Sequence, residues 1–253
     1  MIQSENDTLT EHAMLVVWGQ FGQCLGLVEK INRVPIAKKT VDHSPQSKVL
    51  EFLVAILGGC AYLKDLSRSA HPIDQDAAVA KAWGQTAWAD YSGVSRLLTE
   101  MSMAEARQIE RVLQQVSQPL IDREVMLAIQ QAGELVYDGD LTGRKVSNTS
   151  RTYPGADYGY MGEDKIGLGY QAALVSLESP KSGRIWLSAV QHPGNTLSCT
   201  QAEALVLAAE ARTGLYPQRR VDLLRQRFDS LSMALQLREE RLCQAEQRLA
   251  QAQ

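Results

Sequence analysis

Apolar residues recur at helical spacing through the first half of the chain and change to strand spacing near residue 135. Leu15, Trp18, Phe21, Leu25, Val28 and Ile31 fall at steps of three and four, which predicts an amphipathic helix over 14–31. Residues 32–46, with Pro35, Pro45 and the pair Lys38 and Lys39, read as a linker. A second helix is expected over 47–66, with Gly58 and Gly59 inside it as a break or kink. A short helix over 74–83, a turn over 84–91 and a helix over 93–101 capped by Ser92 follow. That order has the outline of a helix-turn-helix, in which Ser95 and Arg96 are the residues free to touch DNA. The plainer reading of the same pattern is a structural helix pair. Ser102 and Glu105 form a capping box that opens a helix to about residue 130, which Pro119 is expected to split in two.

The period then becomes two. Residues 135–140 place Leu135 and Tyr137 on one face and Val136, Asp138 and Asp140 on the other. Residues 168–177 are nearly all apolar or small, as an interior strand should be. A third strand over 184–190 follows the turn signal Pro180-Lys181-Ser182-Gly183. The helix after it, 201–213, is stopped by Gly214. From Val221 to Ala252 apolar residues hold a heptad seam with Arg238 as its polar member, and such a helix needs a partner. The expected organisation is a helical domain over 1–130, a sheet-bearing domain over 131–216 and a heptad-patterned helix over 217–253, in the α+β class.

Composition narrows the function classes. The 253 residues are 45% hydrophobic, enough for one or two cored domains, and the net charge of −3 does not favour a strongly basic nucleic-acid binder. Four dispersed cysteines give no disulfide framework or zinc spacing and suit a reducing cytosol. The polar opening MIQSENDTLTEH does not read as a secretory signal. No apolar run approaches the ~20 residues of a membrane span, so no membrane partner is expected.

The chemistry concentrates in the two carboxylates. An acidic pair on an apolar strand calls for a cation, either a divalent metal or an arginine. The plainer reading is that one or both cap the turn into Thr142-Gly143. Beyond them, Arg144, Lys145, Arg151 and Lys165 surround a loop with Tyr153, Tyr158 and Tyr160, and basic and aromatic residues together suit DNA backbone contact and stacking. A surface loop or hairpin edge is the equal alternative. His192 lies at no ligand spacing to another His or Cys and reads as a turn residue.

The string DGDLTG, the loop RTYPGADYGYMG, the strand GLGYQAALVSL and the loop QHPGN resemble bacterial insertion-sequence transposases of the DDE class. The resemblance covers roughly 38–220 and is strongest over 138–212. It implies a ribonuclease-H-like catalytic fold in which two aspartates and a glutamate hold two Mg2+ ions, with Mn2+ as substitute, that cut and join DNA. Asp140, two residues before Thr142, matches the family's first aspartate, and Asp138 is the alternative. The family's second aspartate and its glutamate lie well beyond the first helix, so the chain is expected to be the N-terminal part of such a transposase, inactive alone. Its implied partner is DNA at the element's terminal repeats, and its implied location the bacterial cytoplasm, associated with the nucleoid. A homodimer through 221–252 is expected from the seam. Two other readings stand beside this one. One is a non-catalytic DNA-binding or dimerising protein derived from a transposase. The other is an unrelated metal-dependent nuclease, whose nearest further acids would be Glu134, Glu163, Asp164 and Glu203.

Overall fold

A computed structural model describes residues 10–37, 42–147, 153–162 and 166–215. The heptad segment, Lys38 and Lys39, Arg151, Glu163, Asp164 and Lys165 lie outside these residues. The chain forms two compact units, Met1–Pro119 and Leu120–Gln253. The divide falls ahead of the expected 130/131 boundary because Ile121, Val125 and Ala128 join the core of the sheet.

The first unit is helical. Gly26, at φ 70°, ends the expected first helix early and leaves α1 (Ala13–Cys24) and α2 (Leu27–Asn32). The inward face of α1 is also not the aromatic one. Leu15, Gly19 and Gly22 are buried, because the Trp83 ring lies against the two glycines, and the indole N–H donates to the Leu15 carbonyl at 2.9 Å. Ser44 caps α3 (Pro45–Leu57), accepting from the Ser47 N–H, and the helix stops at Gly58 rather than continuing to 66. A short α4 (Asp65–Arg68) follows.

The helix-turn-helix outline does not form. Its first helix is only the six residues of α5 (Ala77–Ala82), capped by Asp76, and α6 (Tyr91–Glu100) is capped by Asp90 rather than Ser92. The connection is no exposed turn: Trp83, Trp88 and Ala89 are all drawn into the core. That burial separates the helices, so α5 packs chiefly on α1 and α6 on α3. Ser95 and Arg96 are exposed on α6 without a reading-head geometry behind them.

The capping box at Ser102 and Glu105 is present, and α7 (Met103–Ala132) then runs through Pro119 without the expected split. Proline removes a single helical N–H, the one that would reach the Gln115 carbonyl, so the loss is one bond in a helix of 30 residues.

The second unit is an antiparallel sheet with a helix on one face. Its strands are β1 (Tyr137–Lys145), β2 (Asp157–Tyr160), β3 (Ile166–Ser179) and β4 (Gly183–Pro193). Strand β3 is central, with Tyr137 to Lys145 opposite Leu177 to Gly169 on one side and β4 on the other. Gly169 is paired with both Lys145 and Asp157, so β2 continues the line of β4. The helix α8 (Ser198–Thr213) packs on β1, β3 and β4 and ends at Gly214, at φ 69°. Leu205 and Ala209 meet Ala173, Val175, Leu177 and Leu187 in one core. Tyr137 ties β1 to the end of the helix through a 2.8 Å hydrogen bond with Thr213. Buried Glu124 of α7 accepts a hydrogen bond from Ser179 at the end of β3.

Candidate functional site

Alternation along β1 sets the site. Leu135 is buried and Tyr137 half-buried, and Gly139 lies under Leu205 of α8. Asp138, Asp140, Thr142 and Arg144 therefore point to the opposite face. Cross-strand pairing extends that face. Asp138 is opposite Ser176, Asp140 opposite Leu174 and Arg144 opposite Tyr170. Trp186 pairs with Ser176 from the other side, and Tyr158 and Tyr160 pair with Leu168 and Ile166. This second face is open among the described residues: Trp186 is 54% exposed, and Tyr158 and Tyr160 are 59% each.

The strand is longer than expected. It runs on to Lys145, so Asp140 stands mid-strand and Asp138 beside the strand's start, and neither caps a turn into Gly143. Gly143 allows this, because a Cβ there would come within 2.6 Å of the Met161 backbone. Arg144 and Lys145 are consequently strand residues, not loop residues, and they point to opposite faces. Only Arg144 shares the face of the acids. Tyr153 is exposed in the turn before β2, where the Pro154 carbonyl accepts the Tyr170 hydroxyl at 2.8 Å. His192 is half-buried in β4 opposite Gln171, not in a turn.

The two aspartates differ in what meets them. Arg184 of β4 reaches across β3 to Asp138 at 2.7 Å, and its guanidinium also lies 5.6 Å from the centre of the Trp186 ring. The cation expected for the acidic pair is, for Asp138, an arginine. The ion pair is half-exposed and contributes little to stability. Asp140 accepts only the neighbouring Leu141 N–H and meets no cationic side chain among the described residues. Its carboxylate is exposed and available.

The described carboxylates do not gather into a metal centre: no group of three or more His, Cys, Asp or Glu among the described residues could hold an ion. Glu134 and Glu203 are exposed and join no such group. Cys24, Cys60 and Cys199 are free thiols. The face can instead offer two open carboxylates, Asp140 and Glu178 of β3, one free arginine and a row of aromatic rings. Sequence reasoning missed Arg184 and Trp186, since their signal was alternation along a strand whose register was not yet set.

No known protein family, curated protein or solved structure matches the chain.

Proposed function

We propose that the chain is a DNA-transposition protein of the DDE class, carrying the first half of a ribonuclease-H-like domain. The observation that supports this most is Asp140: an uncompensated carboxylate in the middle of β1, on the open face of an antiparallel sheet whose other face carries α8. The three long strands β1, β3 and β4 and then α8 follow in the order the resemblance implies, with the short β2 inserted between β1 and β3. The same face presents Arg144, Tyr158, Tyr160 and Trp186, which suit a phosphate backbone and unstacked bases.

Magnesium prefers a cluster of carboxylate oxygens, and the acids of this face, Asp138, Asp140 and Glu178, form no such group. They do not fit a two-metal centre, and the chemistry of cutting requires acids from elsewhere. The Asp138–Arg184 pair favours the second reading, a transposase-derived protein that holds DNA without cutting it. In either reading the work is done on DNA in the cytoplasm, near the nucleoid. No helix among the described residues is long and apolar enough to cross a membrane.

Binding and cleavage separate the two readings. Fluorescence anisotropy with a labelled duplex should show weak binding that falls steeply between low and moderate salt. Arg144→Ala should weaken binding similarly for all sequences and lower the salt slope by about one. Unchanged affinity in that variant would remove the open face from DNA contact. In Mn2+ the purified chain should leave a nickable plasmid intact. Nicking that vanishes in Asp140→Ala would show that the chain completes its own metal site and would make it a nuclease.

A further inference from the structure

The first unit carries an apolar stripe that its own core does not use. Met14, Val17, Trp18, Phe21 and Leu25 lie within about 100° of one another around α1, by the 3.6-residue period. They are 64, 55, 43, 51 and 41% exposed. The inward face is supplied by Leu15, Gly19 and Gly22, so the large side chains are left outside. Trp18 and Phe21 brace each other edge to face at 6.0 Å. No charged residue occurs from Ala13 to Val28 in a chain that is 22% charged. A nucleic-acid backbone, an anionic lipid surface or a charged peptide would find nothing here to attract it.

The stripe is close to palindromic. Four of its five residues are symmetric about the midpoint between positions 19 and 20: Met14 mirrors Leu25, and Trp18 mirrors Phe21, while Val17 mirrors the buried Gly22. A two-fold axis through that point, with two α1 helices antiparallel, sets aliphatic against aliphatic and ring against ring. That is the self-complementarity an isologous contact needs. Burying both stripes removes on the order of 1,000 Å² from water, the lower bound of a specific interface. It corresponds to a weak, concentration-dependent dimer.

We infer that α1 is a dimerisation surface whose partner is the α1 of a second copy of this chain. The contact is independent of the proposed DNA role and of the heptad segment. Sedimentation velocity of the full chain over a micromolar concentration series tests it. The wild type should move from monomer towards dimer. Phe21→Glu and Met14→Glu should each weaken association at least tenfold, with unchanged circular dichroism. Met14→Glu places a negative charge in the first helical turn, which favours the helix of the monomer, so lost association there cannot come from a lost helix. A wild type that stays monomeric at tens of micromolar overturns the inference. So does a dimer that both variants leave intact, which would place self-association elsewhere, such as the heptad seam.

Discussion

Gly159→Ala should cost the second unit on the order of 4 kcal/mol and lower its melting temperature by about 10 °C or more. A Cβ at position 159 would stand 1.7 Å from the Gly194 carbonyl oxygen and 2.3 Å from its carbon. Both atoms are backbone, so no side chain can swing aside. Gly194 is held in its turn by Gln171, whose amide donates to the carbonyls of both Tyr160 and Gly194. The strand must therefore leave the end of β4, and β2 would detach from β3. Gly167 is the control, since it faces Gly159 across the strand pair. A Cβ there meets only the Met161 and Lys145 side chains at 3.4 Å and beyond, so Gly167→Ala should cost less than ~1 kcal/mol. Calorimetry of the two variants decides it, and equal losses would mean that β2 does not approach Gly194 this closely. Because β2 carries Tyr158 and Tyr160, Gly159→Ala should also weaken DNA binding under the proposed function.

The second large effect is a pH dependence set by Glu51. This side chain sits on α3 with no exposure to solvent; one oxygen accepts the Ala89 N–H at 3.0 Å and the other has no partner. Burial pushes its carboxyl up to about 8, with Asp74 and Asp90 adding to the rise and the Ala89 hydrogen bond and Lys48 opposing it. In the unfolded chain it returns to 4.5. Between these values the folded protein holds a proton that the unfolded chain releases, so each rise in pH favours unfolding. The stabilisation is complete below pH 4.5 and is lost as pH climbs through about 8. Glu51→Gln keeps the shape and the acceptor for Ala89 without an ionisable group. It should match the wild type near pH 5 and exceed it by on the order of 2 kcal/mol or more at pH 9. Urea melts across that range would show a flattened profile for the variant. Parallel wild-type and variant profiles would mean that Glu51 is not the group responsible.

Local signals in the sequence were reliable where a single backbone rule applied. The Ser102–Glu105 box and the Gly214 stop need only neighbouring residues, and both are present. The alternation of Leu135 and Tyr137 against Val136, Asp138 and Asp140 likewise follows from the period of a strand. The candidate site was legible to that extent: two acids on the face away from the core. Arg144 was found as a residue but placed in a loop, because nothing local showed that the strand continued through Gly143 to Lys145.

By itself, then, the sequence determined the succession of helices, three main strands and a closing helix, and the side of β1 on which the aspartates stand. Periodicity and caps are properties of residues within a turn or two of each other. Tertiary structure decided which of two amphipathic faces is covered. In α1 the large side chains form the stronger apolar stripe, yet the two glycines turn inward, because Trp83 fits against a surface without Cβ atoms. Tertiary structure also separated the two aspartates. Arg184 lies 46 residues after Asp138 in the chain, and only pairing of β1 and β4 with the same central strand brings them to 2.7 Å. Asp140, two residue pairs along that register, is left open. Strand register is a sum over many distant contacts, and no local pattern carries it.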